Sequence, residues 1–157
     1  GEIQVKGKNV FSGYWRMSDK TLDSFTNDGY FKTDDLGMFN ESGYLEIVGR
    51  LKDLVISGGF NIYPKEIETV INSIKGIKES AVIGVPHKDL GEAVLSVIIK
   101  DNKAHLDQQK ISGILENKLA KYKCPKAFLF KDSLPRNNLG KILKSKLREE
   151  YCNYFIN

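Results

Sequence analysis

The chain has 157 residues and a formal net charge of +4, and 41% of its residues are hydrophobic and 28% charged. These values are ordinary for a globular protein, and no apolar run approaches the ~20 residues of a membrane-spanning helix. Basic and acidic residues are interspersed, a distribution that does not favour nucleic acid binding. Two cysteines, Cys124 and Cys152, are too few for a disulfide framework. We therefore expect a reducing compartment, the cytoplasm or, in a eukaryote, the mitochondrial matrix.

The first 50 residues carry the signals of short strands without those of a separate core. Alternating apolar and polar residues over 2–6 and 44–48 predict strands, and residues 18–25 predict a short helix. Turn-forming Asn, Asp and Gly residues separate these segments. We therefore expect strands that belong to a larger sheet.

The next segment predicts a hairpin that leads into a helix. Two short apolar stretches, residues 54–56 and 60–62, flank Ser57-Gly58-Gly59 and indicate the hairpin. Pro64 suits the first turn of a helix, and an apolar face follows it at helical spacing. That face consists of Ile67, Val70, Ile71 and Ile74.

The remainder of the chain predicts a small α+β domain. Two β-branched runs, residues 80–85 and 93–99, and the apolar run 127–130 predict three more strands. Asp107 can cap a second helix, whose apolar face continues to Leu119 and Tyr122. A final basic helix is expected from about Leu143. The predicted fold has about three strands flanked by about three helices, preceded by the hairpin and by strands from a larger domain.

Three motifs in the chain occur in an order that is found in a known superfamily. They are Gly29-Tyr-Phe-Lys-Thr-Asp-Asp-Leu-Gly37, the segment from Gly49 to Glu68, and Pro135-Arg-Asn-Asn-Leu-Gly-Lys141. Together they resemble the acyl-CoA synthetases of the adenylate-forming, AMP-binding ligase superfamily. The pattern is most similar to that of malonyl/methylmalonyl-CoA synthetases, and fatty acyl-CoA ligases come next.

The resemblance extends over nearly the whole chain and implies a domain organisation. Residues 1–51 would be the strand-rich tail of a large N-terminal AMP-binding domain, and residues 52–157 would be the C-terminal lid domain. The start at Gly1 rather than Met agrees with a fragment of a longer protein. The resemblance also implies a hinge at Lys52, an exposed and polar type of residue whose backbone can rotate without disturbing a core.

The resemblance assigns two residues to nucleotide binding. Asp35 would accept hydrogen bonds from the ribose hydroxyls of ATP, a task for which a carboxylate offers two acceptor oxygens. Arg50 would contact the ribose and close over the nucleotide. Asp34 stands where the superfamily has Gly, and a Gly there would permit a positive φ or close approach of the backbone.

Five further residues are assigned by the same resemblance. Ser57, Gly58, Gly59 and Phe60 would line the tunnel for the pantetheine arm of CoA. Lys141 would be the catalytic residue and would also bind the nucleotide. Its ammonium would contact the acyl carboxylate and the α-phosphate, where a mobile cation offsets the repulsion between two anions.

The implied reaction is an ATP-dependent ligation of a carboxylate to CoA through an acyl-adenylate, with release of pyrophosphate and AMP. The co-substrates would be ATP with Mg²⁺ and CoA, without a tightly bound cofactor or a metal site in the chain. Malonate or methylmalonate is the expected acid, and a medium- or long-chain fatty acid is the alternative. The chain alone is expected to be inactive, because the triphosphate loop and the acyl pocket belong to the large domain.

Several partners are expected. They are the small-molecule substrates, the protein's own N-terminal domain, a protein acetyltransferase acting on Lys141, and a second copy paired through exposed strand edges of the first 50 residues. Nucleic acid is not expected. The alternative from another functional class is a stand-alone module that binds CoA or an acyl carrier without catalysis.

Overall fold

The computed structural model describes residues 1–101 and 104–156. The chain divides into two compact units, Gly1–Lys52 and Asp53–Asn157. Within the described residues, no helix is long and apolar enough to cross a membrane. Helices and mostly antiparallel strands are mixed in the fold, which confirms the predicted α+β class.

The first unit is a three-stranded antiparallel sheet with one short helix. Its elements are β1 (Glu2–Val5), α1 (Ser18–Asp23), β2 (Phe31–Phe39) and β3 (Leu45–Arg50). The strand order is β1-β2-β3, so β2 lies in the centre. Both predicted strands and the predicted helix are present, and the central strand was not predicted as an element.

The first unit buries little of its apolar surface. Leu36 is the one buried large hydrophobic residue in this unit, every residue of which the structure describes. Trp15, Phe39 and Ile47 are 85%, 72% and 64% exposed. A sheet with so few buried side chains obtains little hydrophobic stabilisation of its own.

The second unit is built on a five-stranded sheet. Its strands are β4 (Val55–Ser57), β5 (Phe60–Ile62), β6 (Ile77–His87), β7 (Gly91–Lys100) and β8 (Ala127–Phe130). Its helices are α2 (Pro64–Asn72), α3 (Gln108–Glu116) and α4 (Lys144–Glu150). The strand order is β5-β4-β7-β6, and β8 pairs with β7 as its parallel neighbour.

Helices cover both faces of the long β6–β7 hairpin. On one face, Val82 and Val94 pack with apolar residues of α2 and α3, including Ile71. On the other face, Ile83 of β6 packs with Leu147 of α4. Because successive side chains of a strand point to opposite faces, strands covered on both sides read as continuous apolar runs. This explains why these two strands were predictable.

The ends of α3 show one confirmed and one wrong prediction. The Asp107 carboxylate accepts a hydrogen bond from the backbone N–H of Lys110 at 2.8 Å and caps the helix as predicted. The helix ends at Glu116, so the predicted continuation to Leu119 and Tyr122 is wrong. A short 3-10 turn holds Tyr122 instead.

Ion pairs fix α4 within the second unit. The Lys144 ammonium lies 2.6 Å from a carboxylate oxygen of Glu68 on α2, and these side chains are only 17% and 10% exposed. The same Glu68 oxygen accepts the backbone N–H of Val82 at 2.9 Å. Arg148 pairs with Asp53 at the start of the unit. Charged groups at buried positions require such partners, because an unpaired buried charge is costly.

A bulge interrupts β2 at residues 33–35. Gln4 of β1 pairs with Lys32, whereas Glu2 pairs with Leu36, so β2 carries extra residues between these pairs. The Thr33 hydroxyl donates to the carbonyl of Ile3 at 2.7 Å and accepts the N–H of Asp35 at 3.1 Å. Asp34 has a φ of +60°, in the left-handed region. The residue that replaces the usual Gly thus occupies a backbone conformation that favours Gly.

We expect amide hydrogens of residues 1–52 to exchange about tenfold faster or more than those of β6 and β7. The reason is that the first unit has little buried apolar surface, and regions of few buried contacts open at low free energy. Hydrogen exchange followed by mass spectrometry measures both regions in one sample. Equal protection of the two regions would contradict this prediction.

We expect the variant Asp34→Gly to be more stable in the bulge than Asp34→Ala by about 1 kcal/mol. Both variants remove the carboxylate, but Ala at positive φ suffers the steric penalty that Gly avoids. The opening free energy of β1 and β2 amides, from hydrogen exchange, provides the comparison. If the Ala variant equals the Gly variant, the left-handed conformation at Asp34 is not retained in solution.

Candidate functional site

Asp35 and Arg50, the two predicted nucleotide-binding residues, form a cross-strand pair. The antiparallel register of β2 and β3 places them opposite each other. The Arg50 Nε donates to Asp35 Oδ1 at 3.0 Å. Because the side chains are 54% and 26% exposed, this pair contributes little to stability. Both groups remain accessible to a ligand, one as an anionic acceptor and the other as a planar donor.

Lys52, the predicted hinge, is exposed and is the last residue of the first compact unit. It lies in the short 3-10 turn Leu51–Asp53, which follows β3 directly. The hinge role stays a prediction. A 3-10 turn with no buried residue is compatible with a change of φ and ψ at this point.

Ser57-Gly58-Gly59-Phe60, the predicted tunnel residues, form a tight hairpin turn. Ser57 pairs with Phe60, and the two glycines between them have φ values of +55° and +82°. Both glycines at positive φ are typical of a type I′ turn. A Cβ at Gly59 would meet no atom within 4 Å, so the backbone there is open to a ligand.

An aromatic pair flanks this turn. The Phe60 ring stacks on the Tyr122 ring with centroids 4.6 Å apart and an interplanar angle of 24°. Phe60 is 54% exposed and Tyr122 is 45% exposed. The role of Tyr122 beside the turn could not be predicted, because the helical pattern placed Tyr122 on the core face of α3. Such a pair offers apolar contact area at the edge of the turn.

Lys141, the predicted catalytic residue, lies in a second small hairpin, between β8 and α4. An isolated bridge pairs Arg136 with Ile142, and Gly140 has a φ of +78°. Lys141 is exposed. In the part of the chain that the structure describes, its ammonium forms no salt bridge with an acidic group. A cation of this kind is available to an anionic substrate.

The structure thus distributes the predicted residues over the two units. Asp35 and Arg50 are neighbours in the first unit, whereas the Ser57–Phe60 turn and Lys141 are separate features of the second.

Among the residues described, no group of three or more His, Cys, Asp or Glu side chains could hold a metal ion. Burial raises the pKa of the Cys124 thiol above its usual value, and nearby Glu116 adds to the shift. A thiol of raised pKa is a poor nucleophile at neutral pH.

The charged pairs that support the Lys141 hairpin were not predicted from the sequence. Arg136, in the hairpin itself, pairs with Glu79 of β6. Glu68 and Lys144 form the buried pair described above. One signal was available, since Glu68 follows Ile67 on the apolar side of α2 and is three residues before Ile71. Its partner could not be found by spacing, because it lies far along the chain.

Comparison with known proteins gives consistent matches. Residues 66–141 match the family described as AMP-binding enzyme C-terminal domain. The long-chain-fatty-acid–CoA ligase FadD13 of Mycobacterium tuberculosis is 43% identical over 151 residues, which cover 96% of this chain and 30% of the relative. The 2-succinylbenzoate–CoA ligase of Bacillus licheniformis is 44% identical over 147 residues, 94% of this chain and 30% of the relative.

Solved structures agree with these sequence matches. The crystal structure of ATP-bound MatB from Rhodopseudomonas palustris superposes with a TM-score of 0.92 at 53% identity, over 99% of this chain and 31% of that one. The chain spans about 30% of the length of the curated relatives it matches. Sequence and structure therefore agree with the predicted resemblance, and residues 66–141 form a C-terminal domain of the AMP-binding enzyme family.

Proposed function

We propose that the chain is the C-terminal part of an ATP-dependent carboxylate–CoA ligase. The observation that carries the proposal is Lys141, which stands exposed in an ordered turn within the matched C-terminal domain. The intact ligase first joins a carboxylate to the α-phosphate of ATP and releases pyrophosphate. The CoA thiol then attacks the acyl-adenylate and displaces AMP.

In the first step, Lys141 acts as a positive charge that approaches two anions. Its ammonium lowers the repulsion between the carboxylate and the α-phosphate and stabilises the charge that develops in the transition state. Asp35 binds the ribose hydroxyls through its carboxylate, and Arg50, held beside it at 3.0 Å, contacts the same part of the nucleotide. Mg²⁺ accompanies ATP in the proposal, because it binds nucleotide phosphates.

In the second step, the Ser57–Phe60 turn meets the pantetheine arm of CoA. Two glycines without side chains leave the backbone accessible to a narrow thiol arm, and the Phe60–Tyr122 pair supplies apolar surface beside it. We place the hinge at Lys52. Rotation there would exchange the side of the lid that carries Lys141, used in the first step, for the side that carries the Ser57–Phe60 turn, used in the second. Residues 1–51 then belong to the large N-terminal domain and residues 52–157 to the lid.

Malonate or methylmalonate is the acid that we propose. The support is the 53% identity to MatB, a malonyl-CoA synthetase, over 99% of this chain. A fatty acid is the second candidate, because FadD13 is 43% identical and its name specifies long-chain fatty acids. The residues that select the acid lie outside this chain in our proposal.

The proposed function includes two protein partners, an acetyltransferase and a second copy of the chain. A protein acetyltransferase would inactivate the first step by acetylating Lys141, because acetylation removes the charge. The exposure of Lys141 supports this proposal. A second copy of the isolated chain would pair along the outer strands β1 and β3, whose edges are the ends of the sheet in the first unit.

We expect the intact ligase to exchange pyrophosphate into ATP in the presence of malonate or methylmalonate. The chain alone should show no such exchange and no thioester formation, because it holds only part of the nucleotide site. Exchange with long-chain acids but not with malonate would transfer the assignment to the fatty acid candidate. Turnover by the chain alone would contradict the proposed division of the protein.

We expect Lys141→Ala and Gly59→Leu to affect opposite half-reactions. Lys141→Ala should slow adenylation by about two powers of ten, which corresponds to ~2.7 kcal/mol of transition-state stabilisation. Thioester formation from supplied acyl-adenylate should persist. Gly59→Leu should spare adenylation and block thioester formation, because its side chain fills the path of the thiol arm.

The control for Gly59→Leu is Gly59→Asn. Gly59 has a φ of +82°, so any side chain adds backbone strain, and Asn tolerates this conformation better than Leu. The Asn variant therefore separates strain from bulk. Pyrophosphate exchange and AMP release in the presence of CoA measure the two steps. If each variant slows both steps equally, the assignment of Lys141 to adenylation and of the Ser57–Phe60 turn to thioester formation is wrong.

A further inference from the structure

Three turns of the chain share one backbone arrangement. They comprise residues 26–30, 40–44 and 137–141. In each turn, the fourth residue is a Gly with φ close to +80°. The N–H of the first residue donates to the carbonyl of the fifth, and the Gly N–H donates to the carbonyl of the first, all at 2.8–2.9 Å. The last of these turns ends at Lys141.

The side chain of the first residue completes each turn. Asn137 Oδ1 accepts the N–H of Leu139 at 3.0 Å and that of Lys141 at 2.9 Å. Asn40 Oδ1 accepts the N–H groups of the third and fifth residues of its own turn at 3.0 and 2.9 Å. In the remaining turn, the Thr26 hydroxyl accepts the N–H of the fifth residue, Tyr30, at 2.9 Å. Side-chain oxygens that accept local backbone N–H groups are known to stabilise turns.

We propose that Asn137 is a positioning residue for Lys141. Both backbone polar groups of Lys141 bond to Asn137, since its N–H donates to the Asn137 side chain and its carbonyl accepts the Asn137 N–H. A lysine side chain keeps four rotatable bonds, and a fixed backbone confines its ammonium to the region that these bonds can reach from one anchored Cα. The inference rests on the proposed function, in which Lys141 acts in adenylation.

A second contact ties the turn to the sheet. The Arg136 guanidinium donates to the carbonyl of Gly140 at 2.7 Å and also pairs with Glu79 of β6. Arg136 thus attaches the turn to the long hairpin, while Asn137 sets its internal geometry. The position of Lys141 depends on both contacts, and of these two residues Asn137 is the one that bonds to the backbone of Lys141.

The chain itself supplies the variants for a test in the intact ligase. Asn137→Ala removes two accepted hydrogen bonds and should slow adenylation about tenfold. Asn137→Thr should retain most of the rate, because Thr26 already performs this function in its own turn. Asn40→Ala is the matched control, since it removes the same two accepted bonds from a turn that ends in Tyr44, together with one bond that Asn40 donates to Glu46. It should leave adenylation unchanged.

The decisive measurement is a double-mutant cycle on the rate of pyrophosphate exchange. In a Lys141→Ala background, Asn137→Ala should cause no further loss, because the group that it positions is absent. Thioester formation from supplied acyl-adenylate should be the same in all variants. A further tenfold loss in that background, or a Thr variant as slow as the Ala variant, would overturn the inference and leave Asn137 a structural role alone.

The outcomes separate this inference from the proposed function. If Lys141→Ala leaves adenylation unchanged, the proposed function of Lys141 fails, whatever Asn137 does. If Lys141→Ala slows adenylation and Asn137→Ala does not, only the positioning role fails. Should Asn137→Ala not fold, Asn137→Thr and Asn137→Val replace it as a near-isosteric pair with and without a hydroxyl acceptor. If both replacement variants exchange pyrophosphate at the wild-type rate, the inference is also overturned.

Discussion

The buried carboxylate of Glu68 is the interaction on which much of the second unit depends. It projects from α2 and binds the Lys144 ammonium at 2.6 Å and the backbone N–H of Val82 at 2.9 Å. One side chain therefore joins a helix on one face of the sheet, the central hairpin and the first residue of α4. Removal of either charged partner of a buried pair typically costs about 3–5 kcal/mol, because the other charge stays buried. The pair thus favours a single position for α4.

The position of α4 matters because the Lys141 hairpin precedes it directly. Only Ile142 and Leu143 separate Lys141 from Lys144, the residue that binds Glu68. On its other side, the hairpin is attached to β6 through Arg136 and Glu79. The turn is therefore held between two charged contacts, while the Lys141 side chain itself extends into solvent. A mobile cation on a fixed support suits a step that requires charge at a defined place.

Those parts of the fold that depend on local pattern could be predicted from the sequence. The apolar runs of β6 and β7, the cap at Asp107 and the glycine turn at Gly58 are all encoded by neighbours in the chain. The end of α3 was predicted too far along the chain, because apolar spacing continues to Tyr122 although the helix stops at Glu116. Periodicity alone does not contain the information on where a helix gives way to a turn.

The candidate site was predictable to the extent that motifs carry it. Asp35, Arg50 and Lys141 follow from their motifs, and the register that pairs Asp35 with Arg50 follows only from the sheet. The Glu68–Lys144 and Glu79–Arg136 pairs join residues that are far apart in the chain, so no spacing rule connects them. The positive φ of Asp34 was a stated possibility for the Gly that it replaces, and the backbone has that conformation.

The three related turns have a consequence for how this chain can change over time. In each, the first and fourth residues determine the backbone, and the fifth residue is free to be Tyr30, Tyr44 or Lys141. The side chain that the turn presents, at the fifth position, is therefore independent of the residues that fold the turn, at the first and fourth positions. A substitution at the fifth position alters what the turn offers to its surroundings without rebuilding the turn. Selection for a new reactive group can act there at small cost to the architecture.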